Sequence, residues 1–333
     1  MMDNVFLRYE IKNVIKKPAN RLWTYLDGHG FNGIVDKMTV PSKYVGRSVM
    51  NEEETSSYIT DRILAGKPMM VARYGAVELN YLYHFFKRKN SATTKEKADS
   101  ALKMLCFNAG FFPETHEAAA GFVNLYLDAS KDMDLCGVWG INMEEYVLHE
   151  YAKDCKLTKK RFIEPWLMES GMPWTKALKG KKVLVVHPFV DTMEKQYLKR
   201  RELFAVRYGE DEILPPMELK FIKAVQSIGG KGAEGFSSWL EAYDYMLEKI
   251  RETDFDVAIL GCGAYGFPLA AQIKRMGKQA IHLGGAAQIW FGIKGKRWDK
   301  ELPVSSLYNE YWVSPSADEK PVHADGVEGG CYW

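Results

Sequence analysis

The residues best suited to chemistry in this sequence are gathered in three short turns. Gly261-Cys262-Gly263-Ala264-Tyr265-Gly266 is a glycine-rich turn that runs into a helical pattern, and the free backbone N–H groups at such a helix start suit a phosphate. His187-Pro188-Phe189-Val190-Asp191-Thr192 precedes a second helical pattern whose first turns carry Lys195, Gln196, Lys199 and Arg200. A loop of this kind can hold a diphosphate with backbone amides and basic side chains. In the third turn Arg73 and Glu78 flank Tyr74-Gly75-Ala76-Val77. This sets a guanidinium and a carboxylate near the carboxyl end of a β-run, where the ligand crevice of an open α/β sheet lies. Each motif also has a plainer reading. Glu78 can complement a helix dipole and pair with Arg73, and the basic face after His187 can be simply solvated.

The elements that must position these turns follow from periodicity. Residues 254–298 read as a β-α-β unit: an apolar run, the glycine turn, a helix opened by Pro268 and closed at Gly277, and a second β-run ending at His282 before Gly284 and Gly285. Residues 68–73 are a short apolar strand, and Leu79, Leu82, Tyr83 and Phe86 recur at helical spacing after it. Residues 182–187 form a buried parallel strand, with Asp191 or Thr192 capping a helix over 193–204. Asn51 caps a helix ending at Gly66, and Ser238 with Glu241 forms a capping box opening a helix to Arg251. Helices are expected over 95–107, 114–128 and 143–151, strands over 134–139 and 219–226, an extended run over 161–167 and a short helix over 174–178. Asn142 and Glu144, near a strand end, are weaker candidates. The pattern predicts an α/β, Rossmann-like fold, a mostly parallel sheet with helices on both faces. It divides into an irregular and helical lead-in over 1–66, a catalytic domain over 67–300 and a C-terminal tail over 301–333, either strapped over that domain or disordered at its tip.

Composition narrows the function. Net charge is +2 with basic residues spread along the chain, so there is no electrostatic footprint for nucleic acid. The N-terminal stretch is interrupted by Asp3, Arg8, Glu10 and Lys12, and no apolar run has the roughly 18 to 20 residues of a membrane span. A cytoplasmic location is expected. Five cysteines without a C-x-x-C pair argue against a disulfide framework or a zinc site. Aromatic residues make 13% of the chain, which serves either the core or a sugar-binding cleft with stacking faces. No Gly-x-x-x-x-Gly-Lys-Ser/Thr or Gly-x-Ser-x-Gly is present, and the histidines lack metal-ligand spacing. Gly261, Gly263 and Gly266 match the dinucleotide fingerprint, which keeps an NAD(P)-dependent oxidoreductase as an alternative. The acid that should hold the ribose is replaced by Ile281 and His282.

Arg73-Tyr74-Gly75-Ala76-Val77-Glu78-Leu79 resembles the Arg-Phe-Gly-Asp-Gly-Glu-Leu loop of the GT-D-type glycosyltransferases, a Rossmann-like group acting on nucleotide sugars in bacterial polysaccharide and glycoprotein assembly. The segments around His187 to Arg200 and Gly263 to Gly285 are similar to uncharacterised relatives in that group, so the resemblance covers roughly residues 68–298. It implies transfer of a sugar from a nucleoside-diphosphate donor, a UDP-sugar first, to a saccharide or lipid-linked acceptor. It places Arg73 and Glu78 at the donor diphosphate. Tyr74, Gly75, His187, Asp191, Thr192, Gln196, Arg200, Gly261, Gly263, Tyr265, His282, Gly284 and Gly285 would line the nucleotide crevice. In the family an Asp-x-Glu pair binds a divalent cation, Mn²⁺ or Mg²⁺; here the Asp position is Ala76, which leaves Glu78 alone. Glu78 then either holds a metal completed by diphosphate and water, or takes the acceptor proton, with Arg73, Lys195 or Arg200 neutralising the leaving group. Loss of the acid pair also raises a third reading, a non-catalytic member that serves as a binding partner.

Overall fold

The computed structural model describes residues 40–88, 91–169, 172–210, 213–321, 324–327 and 329–333, together with Phe6 and Tyr9. Most of the expected lead-in, including Gly28, Gly30 and Gly33, lies outside the described residues.

In chain order the first elements are β1 (Lys43–Tyr44), β2 (Arg47–Met50), α1 (Glu52–Ala65), β3 (Met69–Ala72), α2 (Ala76–Lys87), α3 (Ala92–Ala109) and α4 (His116–Ser130). Next come β4 (Leu135–Val138), α5 (Glu144–Glu150), β5 (Lys156–Lys159), β6 (Lys182–His187), α6 (Val190–Tyr197), α7 (Arg200–Leu203) and α8 (Ala205–Tyr208). The chain continues through β7 (Glu218–Lys223), α9 (Trp239–Glu252), β8 (Val257–Leu260), α10 (Gly266–Arg275), β9 (Gln279–His282), α11 (Ala287–Trp290) and α12 (Leu302–Ser305). Two expectations change here. The run expected to be extended over 161–167 is two 3₁₀ turns, Lys160–Ile163 and Pro165–Leu167, because Pro165 presets the first residue of a turn. The helix expected over 193–204 is split between α6 and α7.

The strands form one nine-stranded sheet in the order β1-β2-β5-β4-β3-β9-β8-β6-β7. β1 is antiparallel to β2, and the remaining pairs are parallel. Alternation along each central strand sends side chains to two cores. Met70, Ala72, Leu184, Val186, Ala258, Leu260 and Ala280 face a layer that includes α2, α3, α4, α9 and α10. Met69, Val71, Val183, Val185, Val257, Ile259 and Ile281 face α1, α6, α7, α11 and the segment around Trp312. The fold is α/β and Rossmann-like, with both faces of the sheet covered. Five free cysteines, Cys106, Cys136, Cys155, Cys262 and Cys331, are all buried.

The connections out of two neighbouring strands diverge. From β6 the chain turns by α6 on one face toward β7; from β8 it turns by α10 on the opposite face toward β9, on the other side. Between the carboxyl ends of β6 and β8 lies a topological switch point, the place where an open α/β sheet leaves a crevice.

Candidate functional site at the carboxyl ends of the central strands

β3, β9, β8 and β6 are consecutive in the sheet and parallel, so their carboxyl ends stand in a row. That row brings together Arg73 after β3, His282 at the end of β9, Gly261 after β8 and His187 at the end of β6. The glycines are what let these groups close on one another. Gly284 has φ +66°, and a Cβ there would overlap the Arg73 guanidinium; a Cβ on Gly261 would strike the His187 ring and lie 3.0 Å from the Gly284 carbonyl oxygen.

At the β6/β8 switch point a cavity of about 580 Å³, open mouth included, is lined by His187, Phe189, Gly261, Gly263, Tyr265, Ser227, Gly285, Gln288, Tyr332 and Trp333 among others. His187 is buried, and burial alone pushes its pKa down to about 3, so the ring is neutral at physiological pH. Its Nδ1 accepts from the Phe189 backbone N–H at 3.0 Å, which puts the proton on Nε2. Tyr265 stacks on Trp239 with ring centroids 4.6 Å apart, and its hydroxyl meets Ser227 Oγ at 3.0 Å; Ser227 in turn donates to the Gly110 carbonyl at 2.6 Å. Tyr265 is therefore a fixed wall of the cavity.

Next to the cavity is a second polar cluster. Arg73 donates Nη1 to the Tyr74 carbonyl at 3.3 Å, its Nε is buried without a partner, and its Cζ lies 5.9 Å from the Trp139 ring centroid. Among the described residues no carboxylate pairs with it. The ammonium of Lys160 stands 5.1 Å from the same Trp139 ring. His282 is buried with neither ring nitrogen hydrogen-bonded; burial first and the charge of Arg73 second press its pKa down to about 3, against a contribution from the Arg73 backbone. Glu78 folds back over the start of α2, where a Cβ on Gly75 would overlap its carboxylate, and its charge acts on Tyr126, whose hydroxyl accepts the Gly75 N–H at 3.1 Å.

Five expected residues are not brought to this crevice. Tyr74 is core: its ring is buried, 5.0 Å from Phe267 and 6.1 Å from Tyr126. Asp191 pairs with Lys223 at 2.7 Å on the surface. Asp191 and Thr192 do not cap α6 with their side chains; their backbone N–H groups donate to the Glu319 carboxylate at 2.9 and 3.1 Å, and the Thr192 hydroxyl donates to it too. The helix start expected to hold a diphosphate is answered by the chain's own carboxylate. Gln196 is buried and spends its amide on the Gly292 and Tyr311 carbonyls at 3.2 and 2.9 Å. Arg200 opens α7, stands 5.6 Å from the Tyr197 ring and does not line the cavity.

Other residues enter that sequence reasoning did not place. Gln288, Tyr332 and Trp333 line the cavity, and the aromatic pair after Gly329-Gly330 was the one available signal. Glu144, one of the weaker candidates from the sequence, stands after β4, is buried and accepts from Gly140 N at 2.8 Å, from Trp139 N at 3.2 Å and from the Tyr44 hydroxyl at 3.1 Å. Burial raises its pKa to about 7 against those bonds. Its carboxylate thus fixes the loop that carries Trp139 beside Arg73.

Among the described residues no helix is long and apolar enough to cross a membrane, and no three His, Cys, Asp or Glu side chains are grouped to hold a metal ion. No protein-family model matches the chain, and no curated protein matches it. A solved structure described as the selenomethionine-substituted structure of a domain of unknown function, DUF1792, aligns over 83% of this chain and 93% of its own at 14% sequence identity, with a TM-score of 0.43.

Proposed function

We propose that the chain is a glycosyltransferase that moves a sugar from a nucleoside-diphosphate donor, a UDP-sugar being the first to test, to a saccharide or lipid-linked acceptor. The observation that carries this reading is Arg73, a half-buried guanidinium at the row of strand ends, beside the open cavity at the switch point and without a carboxylate partner among the described residues. A cation taken partly out of water without a counter-charge is costly unless the anion arrives with a ligand. Cleaving the sugar from a nucleoside diphosphate leaves negative charge on the departing phosphate, and Arg73 would neutralise it. The nucleoside would occupy the adjoining cavity. Glu78, held over Gly75 at the same end of the sheet, would take the proton of the acceptor hydroxyl. Ala76 stands where a second carboxylate would be needed for a protein-made cation site, so no step is routed through a metal; Glu78 would be its one protein ligand if the donor brings Mn²⁺ or Mg²⁺ with it.

Calorimetry with UDP, other nucleoside diphosphates and NAD(H), with and without Mn²⁺, tests the reading. Binding of a nucleoside diphosphate is expected; tight NAD(H) binding with no response to any nucleoside diphosphate overturns it. In a protein that consumes donor, Glu78→Gln is expected to lower turnover by about 10²-fold or more. Unchanged turnover would remove Glu78 from the reaction.

A further inference from the structure

We infer that Gln288 and Trp333 make the cavity between β6 and β8 a site for a planar heterocycle that carries both N–H and carbonyl groups, with the last residues of the described chain forming one of its walls. The inference rests on the reading of this cavity as the seat of the donor's nucleoside.

The carrying observation is a set of polar atoms, on side chains that line the cavity, that nothing in the described chain answers. Gln288 is fully buried, and its amide nitrogen donates to the carbonyls of Ile293, Lys294 and Tyr332 at 3.3, 3.0 and 3.2 Å. Those three acceptors fix which end of the amide is oxygen, and Oε1 is left buried without a donor. The indole Nε1–H of Trp333 is likewise buried without an acceptor. His187 contributes its Nε2–H, since Nδ1 is engaged by Phe189. Folded chains leave few such groups unanswered, because each forfeits the bond it made to water.

The apolar part of the wall suits a flat ring. Trp333 meets Phe189 edge-on at 5.7 Å and Tyr332 edge-on at 5.9 Å. The segment is tied down where it borders the cavity: Arg297 N donates to the Cys331 carbonyl at 3.0 Å, and the Tyr332 ring sits where a Cβ on Gly285 would overlap it. A ring with an N–H and carbonyl groups, as nucleobases have, answers one acceptor and two donors on an aromatic wall.

Calorimetry of the full chain with uridine and guanosine, which lack phosphate, and with pyrophosphate in parallel is the test. At least one nucleoside is expected to bind. Trp333→Phe, which keeps the ring and removes the N–H, is expected to weaken that binding by about tenfold, the loss of one hydrogen bond to ligand, and to leave pyrophosphate binding unchanged. Gln288→Met, scored on protein with native near-UV circular dichroism, is expected to do the same. Absence of nucleoside binding at millimolar concentration overturns the inference. So does nucleoside binding that Trp333→Phe leaves unaltered, which would assign the unanswered atoms to ordered water. The two readings separate cleanly: nucleoside binding without donor turnover removes the transferase and keeps this site, whereas turnover indifferent to Trp333→Phe does the reverse.

Discussion

Three buried ionisable residues near the site have pKa values moved by burial, and their signs oppose. Glu144 is raised to about 7, so its contribution to stability is complete below its ordinary value of 4.5 and is lost as pH rises through about 7. His187 and His282 are lowered to about 3; their contribution is present above 6.5 and is lost as pH falls toward about 3. The Glu144 loss accrues between about 4.5 and 7 and adds no slope above that, while the two histidines oppose it below 6.5. Thermal unfolding of the protein and of Glu144→Gln between pH 5 and 8 is expected to show a melting-temperature difference that grows in favour of the variant up to about pH 7 and stays constant above it. The same slope in both proteins would mean that Glu144 is ionised at little cost. Because Glu144 holds the backbone N–H groups of Trp139 and Gly140, its ionisation also bears on the loop beside Arg73.

At the scale of elements, much of the architecture was legible because it is written locally. Asn51 accepts from Glu54 N while Glu54 accepts from Asn51 N, both at 2.9 Å, and Gly66 ends α1 with φ +64°. The three strand-turn-helix units carrying Arg73, His187 and Gly261 appear where the apolar runs stop. Two side chains that turn away from the crevice are placed by their neighbours in the sequence. Met70, Ala72 and Tyr74 alternate onto one core, so Tyr74 had to point inward. Gln196 lies three residues after the buried Met193, on the inner face of α6. Other parts of the site were not legible at all, because they depend on residues far apart in sequence. The clearest is Glu319, 128 residues from the Asp191 N–H that it accepts. With its carboxylate removed, two backbone donors and a hydroxyl at the start of α6 lose their acceptor. Glu319→Ala is expected to lower stability by about 2 kcal/mol, read from chemical denaturation. A change under about 0.5 kcal/mol would show that water replaces the carboxylate without loss, as at exposed caps.

The whole molecule explains why scattered residues converge. Right-handed crossovers on opposite faces oblige the chain to leave β6 and β8 in opposite directions, and the gap so opened is where the cavity lies. Arg73 and His282 reach its neighbourhood because β3 and β9 are the next strands in the row. A ligand bound there should order the loops after those four strands together with the segment ending in Trp333, and should leave the β1–β2 edge and α1 untouched. Hydrogen exchange with and without UDP is the measurement. Slowed exchange is expected at residues 73–78, 187–190, 261–266, 284–288 and 329–333, with no change over residues 43–65. Protection confined to the β1–β2 edge or to α1 would place the ligand elsewhere and detach the switch point from function. Protection at 261–266 without any at 329–333 would keep the crevice and remove the aromatic segment from it.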